Sequence, residues 1–197
     1  MTDHRISKKP DIERAAVRLF AQFGFAGTTI KEIAKLALVT EGAIYRHYAS
    51  KEEMALALFT RELDKIRLRL LGLIADQAGP AAKLRAIVEN LYTAYRDDPW
   101  PFLFVILNFQ NLQGDAALDD NRHIYEFIID FTRSLLTAEA EGRDYEFLAT
   151  LVAGLIIQPV IFHFHQKLPK HPVEYIDEIT RNCCLLMGLE TAPGRIG

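Results

Sequence analysis

The chain has 197 residues, half of them hydrophobic and a quarter charged, with a formal net charge of −3 and two cysteines. That leaves room for one large domain or two small ones with an ample core, and the adjacent pair Cys183-Cys184 is no disulfide framework. The charge is uneven: the first 52 residues carry nine Lys/Arg and six Asp/Glu, the remainder fourteen and twenty. A mildly basic end on an acidic body fits a protein that approaches phosphates with that end alone.

The N-terminal stretch MTDHRISKKPDIE has no apolar run, so no secretory leader is expected. Ile12, Ala15, Ala16, Leu19, Phe20 and Phe23 form an apolar stripe that predicts a first helix from about Lys9 to Phe23, ended by Gly24. Thr29 with Glu32 three residues on makes a capping box for a second helix, whose apolar positions are Ile30, Ile33, Ala34 and Ala37. Thr40 caps a third helix, and Val39 and Ile44 supply the facing apolar contacts. Ser50 with Glu53 opens a fourth helix from Lys51 to about Ala75. Two short helices joined tightly, within the stretch Thr28 to Met54, form the pattern of a helix-turn-helix, in which the second helix enters the DNA major groove.

Beyond it, Gly79-Pro80 marks a break and Pro80 starts a fifth helix to about Arg96. Asp97 to Pro101 reads as a turn, Phe102–Leu112 as a short apolar helix, and 113–120 as a loop. A seventh helix is expected over about Asn121–Ala140. An eighth is expected over about Asp144–His165, kinked at Pro159, and a ninth over about Val173–Leu189 after a loop at Leu168–Pro172. No alternating strand pattern stands out. The expectation is an all-α protein of about nine helices, with a head at residues 1–50 and a body at 51–197. The fourth helix crosses that boundary without a linker.

Residues 147–166 hold no formally charged side chain and are long enough to span a bilayer. Gln158, Pro159, two histidines and the lack of a basic N-terminal flank favour a helix buried inside a domain or a dimer interface. Cys183 and Cys184 lie in an apolar run and read as small buried hydrophobes. His163, His165 and His171 invite a metal, but the first two point to different helix faces, so no metal is expected. Without a Gly-rich phosphate loop or a nucleophile–base signature, neither an enzyme nor a cofactor is expected.

Residues 12–54 resemble the N-terminal domain of the TetR/AcrR family of transcriptional repressors. AAVRLFAQFGFAGTTIKEIA and VTEGAIYRHYASKEEM carry the resemblance, above all Tyr45, His47 and Tyr48 followed by Ser50-Lys51-Glu52. It implies that Thr28 and Thr29 meet a phosphate at the start of the second helix. The recognition helix, Thr40–His47, then presents Thr40, Glu41, Gly42, Ala43 and Arg46 to the groove. Glu41 suits a cytosine amino group, Ala43 a thymine methyl, and Gly42 permits close approach. Tyr45, His47 and Lys51 match phosphate-contacting positions, while Tyr48 reads as core. One departure is visible: Leu38 stands in the turn where the family usually has Gly, and a Leu at positive φ costs on the order of 1 kcal/mol.

The resemblance further implies a homodimer built from the last two helices. The eighth helix is apolar around most of its circumference, and the ninth shows Ile176, Ile179, Cys183, Leu186 and Met187 at helical spacing. A dimer sets two recognition helices about one DNA turn apart, so the operator is expected to be a near-palindrome. The aromatic content of the body suits a small hydrophobic or aromatic effector lined by Tyr92, Tyr95, Phe102, Ile106, Phe109, Phe127 and Phe131. Gln158 and Asn108 are the amides placed to orient it, and Arg133 is expected in a salt bridge. The resulting reading is a cytoplasmic repressor that leaves its operator when the effector binds. The alternatives are an architectural or cell-cycle DNA-binding protein of the same fold without an effector, and a helical ligand carrier whose head binds no DNA.

Overall fold

The computed structural model describes residues 7–75, 79–108, 126, 128–135 and 144–189. Every regular element among them is helical: α1 (Lys9–Phe23), α2 (Ile30–Leu36), α3 (Glu41–Tyr45), α4 (Lys51–Ala75), α5 (Pro80–Asp97), α6 (Pro99–Asn108), α7 (128–135), α8 (Tyr145–Phe164) and α9 (Ile176–Met187). The expected loop at 113–120, Phe109, Phe127 and the ends of the seventh helix lie outside the described residues. The chain divides into two units, one of Met1–Ile66 with Pro99–Asp119, the other of Arg67–Asp98 with Asp120–Gly197.

Local chemistry sets the helix ends of the first unit. Thr29 accepts from the Glu32 amide at 3.2 Å and Glu32 reaches back to the Thr29 amide at 2.9 Å, closing the expected capping box. Thr40 caps α3 by accepting from the Ala43 amide at 3.3 Å. At α4 the box is shifted: Ser50 accepts from the Glu53 amide, but the Glu53 carboxylate takes the Ala49 amide at 2.7 Å.

The core of this unit gathers Ile12, Phe20, Ile33, Ile44, Met54, Leu58 and Phe59, each essentially inaccessible to water. Phe104 of α6 stacks on Phe20 at 5.7 Å and meets Phe59 edge-on at 6.1 Å. That packing widens the buried face of α1 to Val17 and Ala21, whereas Phe23, expected on the stripe, is 62% exposed. Complete burial of a side chain such as Ile44 is worth about 1.5–3 kcal/mol.

The expected turn at Asp97–Pro101 is shorter than predicted. Only Asp98 is non-helical, and α6 begins at Pro99. Prolines in a first helical turn forfeit only amides that would lack an intrahelical partner anyway.

In the second unit α9 packs on α5 and α8, and α5 also touches α8. Tyr92, fully buried, donates its hydroxyl to the Ile156 carbonyl at 2.9 Å, and Arg85 pairs with Asp177 at 2.6 Å. Asp144 caps α8 by accepting from the Phe147 amide. The expected ninth helix starts later, because Pro172–Tyr175 forms a 3-10 turn capped by His171. Cys183 and Cys184 are both buried and free, and burial pushes the Cys183 thiol up to about 12. They are packing residues, as expected.

Among the described residues α8 is the one helix long and apolar enough to cross a membrane by length and composition. It was expected to be buried on all faces. Within one chain it buries Leu148, Ala149, Val152, Ile156 and Val160, and leaves Phe147 61%, Leu151 38% and Phe162 54% exposed. A helix packed on α5 and α9 from one side has a second apolar side left over.

Candidate nucleic-acid interface

The turn between α2 and α3 is built from backbone hydrogen bonds. The Leu38 amide donates to the Lys35 carbonyl at 3.3 Å and the Val39 amide to the Ala34 carbonyl at 3.0 Å. This is a Schellman ending, which needs its penultimate residue in the left-handed region. Leu38 supplies it with φ 55°, so the turn does take the conformation that disfavours a leucine.

On the short helix that follows, Ile44 is fully buried and anchors α3 to the unit. Thr40, Glu41, Gly42, Tyr45, Arg46 and His47 are exposed, and Ala43 is half-buried. The residues expected to read bases are therefore open to solvent, Ala43 in part. A Cβ built on Gly42 would find nothing nearer than Thr40 Oγ1 at 3.9 Å, so the fold itself does not require glycine there.

Thr28 has a buried side chain, whereas Thr29 is exposed at the start of α2. Thr28 is 1% exposed and donates its hydroxyl to the Gly24 carbonyl at 2.9 Å, so its side chain serves the turn after α1. The Thr29 hydroxyl donates to Glu32 Oε2 at 2.7 Å while accepting in the capping box. That donation also holds the Glu32 carboxyl below its usual range. Both side chains shape the start of α2.

Lys51 has an internal role that sequence did not predict. Its Nζ donates to the carbonyls of Phe25 and Thr28, both at 3.0 Å, and lies 4.2 Å from the centre of the Phe25 ring. Two of its three N–H groups are thereby spent on the loop before α2.

A second missed feature joins three segments of the first unit. Tyr48, buried as expected, donates to Glu13 Oε1 at 2.6 Å, and Arg61 of α4 bonds to the other oxygen of the same carboxylate. Lys9 adds a contact at 3.8 Å, and Arg61 and Lys65 also hold the buried Glu62. Burial works against the charge on Glu13, but the bonds from Tyr48 and Arg61 prevail and keep its carboxyl below the usual range. Burial and the Glu13 bond push the Tyr48 phenol up.

The expected effector residues divide between the units. Phe102 is buried and Ile106 half-buried in the first, on the helix that covers α1. Tyr92, Tyr95, Phe131 and Gln158 belong to the second. Tyr95 is buried and bonds through its hydroxyl to His163 Nδ1 at 2.9 Å, so both tyrosine hydroxyls have protein partners. Gln158 is exposed, which corrects its reading as a buried amide: it shares the open side of α8 with Leu151 and Phe162. Asn108 is buried and donates to the Phe20 and Phe104 carbonyls at 3.2 and 3.0 Å. Arg133 pairs with Asp130 at 3.0 Å, as expected. Tyr95, His163 and His171 form a ring cluster, with centroids 5.3 Å apart for Tyr95–His171 and 4.8 Å for His163–His171. No group of three or more His, Cys, Asp or Glu side chains arranged to hold a metal occurs among the described residues.

A helix-turn-helix with an open recognition face defines the class of protein. Residues 12–58 match the model of the bacterial regulatory proteins of the tetR family. Residues 12–58 therefore carry the DNA-binding segment of that family, one of transcriptional regulators. It is 34% identical over 145 residues to the uncharacterized HTH-type transcriptional regulator YerO of Bacillus subtilis, covering 68% of this chain and 48% of YerO. It is 32% identical over 88 residues to the HTH-type transcriptional repressor KstR2 of Mycobacterium tuberculosis, covering 45% and 44%. The chain thus spans about half the length of the curated relatives it matches. The fold is shared with AibR, solved in complex with isovaleryl coenzyme A and operator DNA, at a TM-score of 0.73 and 20% identity over 93% of this chain and 100% of AibR.

Proposed function

We propose that this protein is a dimeric transcriptional repressor that releases a near-palindromic operator when a small hydrophobic effector binds. The carrying observation is the open face of α3, where exposed Thr40, Glu41, Gly42, Tyr45, Arg46 and His47 flank a buried Ile44. Thr40, Glu41, Gly42, Ala43 and Arg46 read base edges, and Tyr45 and His47 meet phosphates. Lys51 orders the loop before α2, with one N–H left for a phosphate.

The dimer is formed through α8 and α9. Phe147, Leu151 and Phe162 on α8 and Leu185, 66% exposed, on α9 are the apolar surface that a second copy covers. The two recognition helices then sit about 34–36 Å apart, one turn of DNA. The head (1–50) carries the DNA contacts, and the body (51–197) carries the dimer and effector functions.

The effector acts by population shift. It binds one conformation of the body better, and the spacing of the heads follows. Moving from mostly competent to mostly incompetent takes a differential affinity of roughly 5 kcal/mol. The complex of AibR with an acyl thioester of coenzyme A makes such thioesters the first effectors to try. The test is fluorescence anisotropy with a duplex selected in vitro by the full chain, at several salt concentrations and with a panel of acyl-coenzyme A thioesters. Salt-dependent binding relieved by one chain-length class supports the reading. Binding that no effector relieves favours an architectural role, and no duplex binding at all excludes the repressor.

A further inference from the structure

We propose that Leu38 is a DNA-contacting side chain, which seats against a thymine methyl group at the edge of the footprint of α3. The inference rests on the DNA-binding reading above and adds a contact outside the recognition helix.

Its basis is a strain that nothing within the described chain repays. Leu38 sits at φ 55°, where a side chain is disfavoured and glycine is at ease. The turn gains nothing from the leucine side chain, because both hydrogen bonds that define it are made by backbone atoms. Nor does the core, because the side chain is 87% exposed. A large apolar group held out into water on a strained backbone points to a partner outside the chain.

Position selects that partner. Leu38 lies two residues before Thr40, the N-cap of α3, and the exposed Thr40, Glu41 and Gly42 follow after the half-buried Val39. Lys35, whose carbonyl accepts from the Leu38 amide, is exposed too. Of the branched apolar side chains between Lys35 and the start of the recognition helix, Leu38 is the most open, at 87% against 43% for Leu36, and it suits the one apolar group on a major-groove edge, the thymine C5 methyl. The other non-glycine residue in the left-handed region among the described residues is Gln166, a polar side chain just after α8. A polar group there is at home in water, as a leucine is not.

The test uses the full chain, the variants Leu38→Gly and Leu38→Asn, and the duplex selected by the wild type. Both variants relieve the strain, so Tm should rise by about 2–4 °C for Leu38→Gly and less for Leu38→Asn. DNA affinity should move the opposite way, falling about fivefold per half-site if roughly 40 Å² of apolar surface leaves the contact. Replacing the contacted thymine by deoxyuridine should weaken the wild type by the same factor and leave both variants unchanged. Affinity equal to or above wild type in the variants overturns the proposal while leaving the DNA-binding reading intact. So does a Tm that fails to rise, or a deoxyuridine series without effect. Failure of the wild type to bind any duplex with salt dependence overturns the underlying reading instead.

Discussion

Lys51 donates from Nζ to the carbonyl of Thr28 at 3.0 Å, tying the first residue of α4 to the residue before the N-cap of α2. With its second bond to Phe25, the side chain fixes the loop that sets the entry angle of the helix-turn-helix. Lys51→Met keeps an apolar stem over Phe25 but removes both donors. Stability should fall by about 1–3 kcal/mol, read as a lower Tm. Duplex affinity should weaken as well, and the slope of log K against log salt tells how. Positioning alone leaves the slope unchanged, whereas loss of one direct phosphate contact lowers it by about 0.9.

The Tyr48–Glu13–Arg61 bridge makes a separate claim. Tyr48→Phe removes one bond to a charged acceptor and little volume, so denaturant unfolding should show a loss of about 1–2 kcal/mol. The folded-state carboxyl of Glu13 is depressed, so its contribution is present above the usual carboxylate range and is lost as pH falls through it. The difference between wild type and Tyr48→Phe should therefore shrink on acidification below about pH 4.5. A difference that persisted at low pH would assign the loss to packing.

Gly42→Ala separates fold from function. The added methyl meets nothing closer than 3.9 Å, and alanine favours a helix over glycine by about 1 kcal/mol. Tm should hold or rise while duplex affinity falls, because the methyl occupies space that the close approach to DNA requires. An alanine variant that bound as tightly as wild type would remove Gly42 from the interface.

His171 should make the second unit sensitive to mild acid. Its Nδ1 accepts from the Val173 amide at 3.3 Å, a bond that a proton on that nitrogen would abolish. Burial first, then the neighbouring His163 and Arg96, lower its pKa, while Glu174 opposes them. With the folded value depressed below about 6.5, the unfolded chain binds the proton more readily. Stability is then full above that pH and declines as pH drops through the folded value. His171→Asn keeps a capping acceptor without a titration, so its Tm between pH 7 and 5 should vary less than that of the wild type.

Much of the head was legible in sequence because its determinants are local. The Thr29–Glu32 box, the Thr40 cap and the span of α1 each depend on residues a few positions apart, and Leu38 stands out in its turn by residue type alone, without its φ. What escaped depends on residues far apart in the chain. Glu13 meets Tyr48 and Arg61 across three elements, and neither Lys51 nor Thr28 announces its turn-binding role by spacing. Phe23 and Gln158 lie open to solvent, which spacing does not show, because helical periodicity identifies an apolar side without saying which neighbour covers it. Tyr92 and Tyr95 show the converse: their aromatic character was plain, but their hydroxyl partners lie more than sixty residues away.

If the exposed residues of α3 bind duplex DNA, Arg46→Ala should weaken that binding. The full-length wild type and variant should be titrated with the in vitro selected duplex across a salt series. For the wild type, log K should fall linearly with log salt. The variant should lose about 1–3 kcal/mol per half-site, with discrimination relaxed at one base position. Equal binding of wild type and variant to selected and scrambled duplexes, or no salt dependence in either, would contradict it.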